Sequence, residues 1–319
     1  MDKNMKSVLV SHIDLDGYGC NVMAQRYLGR DLPSINVNYD ELAEKLIDIP
    51  RDYQVFITDL SVPENLKGLL DEFEHIILID HHKSTRWAEE WGKDNPKVEV
   101  FVSEERCATW WFYEYLAKQF NYRDSILDEW AKFVDDYDRY VLQYEESRRL
   151  NALFYISNRD RFVSDALQYT PQQVLNNNKE RVDRYLEQQR EYVMKTAVFT
   201  LQHEPYRIVM FFAEKNKSAI AEELIKNDHA DLCYGIDLHN MSVSLRSSPK
   251  TRLDCSKIAQ RIHPEGGGHP NASGASLEDY AKDWLIMEKP KDGSLFGTSA
   301  RFDMPLNLPV EDLPTYEEE

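Results

Sequence analysis

Two clusters in this chain set imidazole beside carboxylate at short spacing: His12-x-Asp14-x-Asp16-Gly17 near the start and Asp80-His81-His82 further along, with Asp59 between them in Thr58-Asp59-Leu60. On extended backbone alternate side chains face the same way, so His12, Asp14 and Asp16 can converge from one strand end. Imidazole and carboxylate without thiolate is a ligand set for a hard or borderline divalent ion, Mn(II) or Mg(II). One ion would use only some of these groups. Their number favours two ions, with Asp59 placed to bridge them, and such pairs serve phosphoester hydrolysis by activating water for in-line attack. Taken singly, each acid has a plainer role open to it, because aspartate after a strand is commonly a turn residue or a helix N-cap. Taken together, they would leave like charges uncompensated in one place unless a cation neutralised them.

The elements that must position these groups follow from hydrophobic pattern. Apolar runs ending at residues 11, 58 and 79 read as buried parallel strands, and a further strand is expected over 35–39. Amphipathic helices over 17–28, 41–47 and 63–73 alternate with them, which predicts a doubly wound, mainly parallel α/β sheet with right-handed crossovers. In such a sheet the carboxyl ends of the strands open into the ligand crevice. After a strand over 98–102, helices over 108–120 and 125–134 follow, and the second delivers Asp135, Asp136 and Asp138. Residues 151–202 are helical and highly charged, as expected of a connector, and a smaller α/β unit begins at residue 203. The expected division is a metal-binding domain over 1–150, a helical connector over 151–202, a substrate-binding domain over 203–290 and an extended or disordered, proline- and acid-rich tail over 291–319.

Composition narrows the function. At 319 residues the chain can build two cores, and no apolar run approaches the length of a membrane span. The start carries no apolar secretory segment, so the expected location is cytoplasmic. Four widely spaced cysteines, Cys20, Cys107, Cys233 and Cys255, suggest neither a zinc site nor a disulfide framework. A net charge of -18 disfavours coating long nucleic acid through a broad basic face, but leaves room for a small anion held by cations.

A third motif lies in the second half. Gly266, Gly267 and Gly268 precede His269-Pro270-Asn271-Ala272-Ser273-Gly274 and read as a loop whose amides can approach an anion closely, with His269 adding a donor or charge. Arg246, on the alternating strand Ser242-Val243-Ser244-Leu245-Arg246, can supply bidentate phosphate recognition or stand as a solvent-exposed strand arginine.

Jointly these motifs resemble those of the DHH phosphoesterase superfamily. Asp80-His81-His82 is similar to the triplet that names it, His12-x-Asp14-x-Asp16-Gly17 to its first motif, Asp59 to its second, and the glycine run to that of the DHH-associated C-terminal domain. The resemblance spans most of residues 6–275. It implies two domains with the substrate between them and two Mn(II) ions, or Mg(II), in the first. His12 and Asp14 would hold one ion and Asp16 and His81 the other, with Asp59 bridging. His82 would face the substrate phosphate and Asp80 would orient its neighbours. The family's helix-terminal aspartate is assigned to Asp136, with Asp138 as the alternative. Arg246, His269 and the amides of Gly266, Gly267 and Gly268 would contact substrate.

The nanoRNase/oligoribonuclease branch is the most similar, implying Mn-dependent hydrolysis of short oligonucleotides to mononucleotides. Cyclic-dinucleotide phosphodiesterase and 3'-phosphoadenosine 5'-phosphate phosphatase are the alternatives. An inactive scaffold is the reading of another class, and it predicts lost metal ligands that this chain retains. The expected partner is a short oligonucleotide or small nucleotide, without long duplex nucleic acid or membrane, and a homodimer is compatible with the sequence.

Overall fold

The computed structural model describes residues 5–203, 205–264, 266–277 and 313–316. The chain divides into two compact units, Met1–Leu186 and Glu187–Glu319.

In the first unit, β1 (Ser7–His12), β2 (Ser34–Val37), β3 (Gln54–Thr58), β4 (His75–Asp80) and β5 (Val98–Val102) form a parallel sheet in the order β2-β1-β3-β4-β5. Its helices begin with α1 (Leu15–Leu28), α2 (Leu42–Ile47), α3 (Lys67–Leu70), α4 (Trp87–Asp94), α5 (Ala108–Phe120) and α6 (Ser125–Asp138). The central strands are continuously apolar because both faces are covered. Val10, Ile57 and Leu78 pack with Leu42, Leu70 and Trp91 on one side, while Leu9, Phe56 and Ile77 pack with Met23, Phe112 and Trp130 on the other. This is the doubly wound sheet expected.

The strand order places a topological switch between β1 and β3, since the chain leaves β1 toward β2 and returns on its opposite side at β3. The crevice of an open α/β sheet forms at such a point. Just below it the two strand ends are pinned together, with Thr58 Oγ1 donating to Ser11 Oγ at 2.8 Å and Ser11 Oγ donating to the Thr58 carbonyl at 3.1 Å.

The expected connector is in large part core. α7 (Glu145–Ile156), α8 (Arg159–Ala166), α9 (Pro171–Asn177) and the start of α10 (Lys179–Lys195) bury Leu153, Phe154, Phe162, Leu175 and Val182 in the cluster that holds α1 and α6. α7, α8 and α10 are rich in charge and α9 in amides, yet each turns apolar residues to the cluster, which is enough to dock it. α9 and α10 are separated at Asn178, whose side chain donates to the Val174 carbonyl.

In the second unit β6 (Val198–His203), β7 (Tyr206–Phe212), β8 (Leu232–Asp237), β9 (Ser242–Ser247), β10 (Gly267–His269) and β11 (Ala272–Ser276) form a mixed sheet in the order β10-β11-β9-β8-β7-β6. α11 (Lys217–Lys226) covers one face, over Val209, Phe211 and Cys233, and α12 (Cys255–Ile262) the other, over Ile208, Tyr234 and Leu245. The glycine run is thus a hairpin rather than an open loop. Of the expected tail, residues 313–316 lie against the second unit, with Thr315 bridged to Leu253 and the Asp254 amide donating to the Pro314 carbonyl. The rest of the tail, and residues 278–290, lie outside the described residues. All four cysteines are free and buried, and among the described residues no helix is long and apolar enough to cross a membrane.

One position in the first motif is closed to any side chain. A Cβ on Gly17 would stand 2.1 Å from the His12 carbonyl oxygen, a backbone atom that cannot swing aside. Gly17→Ala should therefore destabilise the first unit by about 1 to 3 kcal/mol, read as a lowered midpoint in chemical denaturation. An unchanged midpoint would contradict the close approach.

Candidate metal centre

The first motif leaves the end of β1 and turns at once into α1. Asp14 is the N-cap of that helix, accepting from the Gly17 amide through Oδ1 at 3.0 Å, while its Oδ2 lies 3.0 Å from His12 Nδ1. Asp16, in the first turn, points the other way and meets the start of α5. The amides of Ala108 and Thr109 each donate to its carboxylate at 2.8 Å, so one aspartate ties two helix N-termini together and is itself fixed.

Asp59 follows β3 with φ at +55°, in the left-handed region that costs a non-glycine residue roughly 1 kcal/mol or more. That backbone turn aims the carboxylate into the crevice. Its Oδ1 is 3.2 Å from His81 Nε2 and its Oδ2 is 3.9 Å from His12 Nδ1, one oxygen toward each imidazole. His81 Nε2 is also 3.8 Å from Asp16 Oδ2, and His81 Nδ1 is 3.6 Å from Asp138 Oδ2.

Close groups of ligand atoms here include His12 with Asp14 and Asp59, Asp16 with His81 and Asp138, and Asp59 with Asp80, His81 and His82. Three atoms test whether cations fit. Among the described residues His12 Nδ1, Asp59 Oδ2 and Asp138 Oδ2 are buried and meet no partner in hydrogen-bond geometry, the 3.0 Å approach of Asp14 Oδ2 to His12 Nδ1 being badly angled for one. Buried polar atoms are normally satisfied, and orphaned oxygen and nitrogen lone pairs turned inward are what a divalent ion would occupy. Electrostatics agrees. Burial first, then Asp16, Asp14 and Asp138, push the Asp59 carboxyl well above the usual range, and burial with Asp16 and Asp14 does the same to Asp138. Burial would also raise Asp14 and Asp80, but His12 beside the one and His82 beside the other leave both below it.

Asp80 stays behind this front. It accepts from the His81 amide at 2.8 Å and from Thr85 Oγ1 at 2.5 Å, and its Oδ1 is 2.7 Å from His82 Nδ1. An ionised acceptor there keeps the proton on Nδ1 and turns Nε2 outward.

Of the two acids expected at the helix end, the structure brings Asp138 to this cluster and turns Asp136 away from it. Asp136 is buried, but its carboxylate accepts from the Gln143 and Tyr144 amides and from Ser147 Oγ, closing the turn into α7. Asp135 is likewise structural, accepting from the Cys107 amide and Arg106. Asp138 alone of the three reaches His81.

In the second unit Arg246 on β9 pairs with Ala272 on β11, which pairs with His269 on β10. Cross-strand partners share a face, so Arg246 and His269 lie in one row on either side of a small residue. Arg246 Nη2 donates to Ser218 Oγ at 2.9 Å. Gly268, with φ at +134°, leaves no room for a Cβ, which would meet the Ala272 carbonyl at 2.6 Å, and a Cβ on Gly266 would meet the Ala259 carbonyl at 2.3 Å. Gly267 has open space around it.

The parallel sheet with acids and imidazoles at its switch point, followed by a unit carrying the glycine hairpin, is the arrangement that the DHH resemblance implies. No family model matches the chain. Over 307 residues it is 29% identical to oligoribonuclease NrnB of Bacillus subtilis, a match covering 88% of this chain and 75% of that protein. The fold is shared with the pGpG-specific phosphodiesterase PggH from Vibrio cholerae, at a TM-score of 0.54 and 16% identity over 88% of this chain and 98% of that one. It is also shared with RecJ from Thermus thermophilus, solved in complex with Mn2+, at a TM-score of 0.54 and 13% identity over 87% of this chain and 50% of that one. The chain is thus similar in sequence to that oligoribonuclease over most of its length and shares its fold with these two structures.

The two acids can be set against each other. Asp138→Asn should weaken Mn(II) binding about 10-fold or more in a calorimetric titration, whereas Asp136→Asn should leave it nearly unchanged while lowering thermal stability. The reverse ranking would return the ligand role to Asp136.

Proposed function

We propose that this chain is a divalent-metal-dependent phosphodiesterase that hydrolyses short oligonucleotides to mononucleotides, with Mn(II) the preferred ion over Mg(II). The observation that carries the reading is the buried acid and imidazole cluster with three orphaned donor atoms at the switch point, in a homologue of an oligoribonuclease. His12 and Asp14 would hold one ion, Asp16, His81 and Asp138 the other, and Asp59 offers an oxygen to each group. Imidazole ligands favour the more borderline Mn(II). When bound, such a pair supplies an activated water and neutralises charge on the phosphoryl group.

The chain's own residues supply the rest. Asp80 fixes the His82 ring so that Nε2, when protonated, can donate to a phosphoryl oxygen on which charge develops. The Thr85 hydroxyl holds the second oxygen of Asp80 and keeps that orientation rigid. In the second unit, Arg246 and His269 flank Ala272 and would anchor substrate phosphate, with the backbone of Gly267 and Gly268 beside them, whereas the Gly266 amide is taken by the His263 carbonyl at 2.8 Å. The division of labour between a metal-binding first unit and a substrate-binding second one belongs to this proposal. A non-enzymatic scaffold would have no need to keep a destabilising acid cluster intact.

Substrate length follows from charge. A few phosphates can be met by two cations, Arg246 and His269, but a chain of net charge -18 has little to offer a long polyanion. Catalytic efficiency on 5'-labelled RNAs should therefore be highest at about two to five nucleotides and fall with length, more steeply at low salt. Efficiency that rises steadily beyond about ten nucleotides would contradict the short-substrate reading. Exclusive cleavage of a cyclic dinucleotide or of 3'-phosphoadenosine 5'-phosphate would move the substrate assignment and leave the metal chemistry standing.

A further inference from the structure

One aromatic side chain stands in the centre without belonging to any of the motifs. The Tyr39 ring stacks on the His12 imidazole with centroids 4.5 Å apart and planes at 23°. Its edge meets the His82 ring at 5.9 Å and 81°, and its hydroxyl is 3.5 Å from His82 Nε2. It thus touches one imidazole from the first motif and one from the Asp80-His81-His82 triplet.

The placement is built in by register. His12 pairs with Val37 on β2, and the Asn36 side chain donates to the His12 carbonyl at 2.7 Å, so β2 is locked beside the motif. The chain then turns through a short 3-10 helix, Tyr39–Glu41, closed by the Glu41 amide on the Asn38 carbonyl and by the Asn38 amide on Glu41 Oε2 at 3.0 Å. Tyr39 comes out of that turn directly over His12.

Hydrophobic packing does not account for it. The residue is 45% exposed, so its ring is held across two imidazoles rather than buried in a core. A histidine ring rotates over a broad χ2 range unless a neighbour restricts it, and groups that orient a metal-binding imidazole are where affinity is set. We propose that Tyr39 is a positioning residue of the cation cluster, its ring fixing the imidazole of His12 and its hydroxyl steadying His82. The contact of the hydroxyl with Nε2 is at the limit of hydrogen-bond length, so it can yield to a phosphoryl oxygen arriving at the same nitrogen. The inference rests on the reading of the cluster as a divalent metal centre.

Two variants separate the ring from the hydroxyl, each measured by Mn(II) titration followed by electron paramagnetic resonance and by kinetics on a three-nucleotide RNA. Tyr39→Phe keeps the ring and should bind Mn(II) as the unaltered protein does, with kcat lowered and KM little changed. Tyr39→Leu loses the ring as well, and should also weaken Mn(II) binding about 10-fold. Equal Mn(II) affinity in both variants and the unaltered chain, with unchanged kcat, would overturn the proposal. So would equal weakening by Phe and Leu, since the stacked ring would then not matter. If the unaltered protein bound Mn(II) but cleaved no short RNA, the substrate reading would fail, while the contrast between Phe and Leu in Mn(II) affinity would still decide the role of Tyr39.

Discussion

Like charges held together under low solvent exposure are the constraint around which the first unit is arranged. Two unit charges of one sign about 4 Å apart repel by about 4 kcal/mol at an effective dielectric of about 20, which is a large share of the ~5–15 kcal/mol that stabilises a whole domain. Asp16, Asp59 and Asp138 converge on His81. Asp59 and Asp138 accordingly have carboxyls pushed upward, toward the protonated form that the fold would take without a counter-ion. Divalent cations relieve the repulsion and at the same time fill the orphaned donor atoms.

Much of the surrounding architecture serves to hold these acids in place against their repulsion. Asp14 and Asp16 are anchored by helix-terminal amides, Asp59 by an unfavourable backbone angle that the paired strands maintain, and Asp80 by an amide, a hydroxyl and an imidazole. Backbone donors can fix a carboxylate oxygen and still leave its second lone pair for a metal. Gly17 makes the first of these anchors possible, because only glycine lets α1 start so close to the His12 carbonyl. On the proposed reading, the plain structural role of an anchored aspartate and the chemical role of a ligand would be carried by the same residue at Asp14 and at Asp16.

The parallel sheet and three of the strand ends were legible because buried strands leave long apolar runs and polar residues at their ends stand out against them. What was not legible depended on rotation and on distance in the chain. Asp135 and Asp138 lie three residues apart and share a helix face, whereas Asp136 is turned well round the axis. That spacing was available as a signal, but only the neighbour that each face meets decides which acid reaches His81. The docking of residues 151–182 was hidden because their mean charge masked a narrow apolar stripe. β6, the run Val198-Phe199-Thr200-Leu201, carried β-branched and aromatic residues that could have announced it. The glycine run read as a loop, yet its Gly267 to Gly274 pairing makes it the edge hairpin of the second sheet, which sets His269 on β10 in one row with Arg246 on β9. Tyr39 had no signal, since a lone tyrosine after a short strand acquires its meaning only from the register of β2 on β1.

The central claim, that the acid cluster is a two-cation centre, is tested most directly by anomalous diffraction from crystals of the full chain grown with Mn(II). The account predicts two peaks per chain about 3.5 to 4 Å apart, one among His12, Asp14 and Asp59 and the other among Asp16, Asp59, His81 and Asp138. An empty cluster in crystals grown at saturating Mn(II), or a single ion coordinated by Asp136, would contradict it.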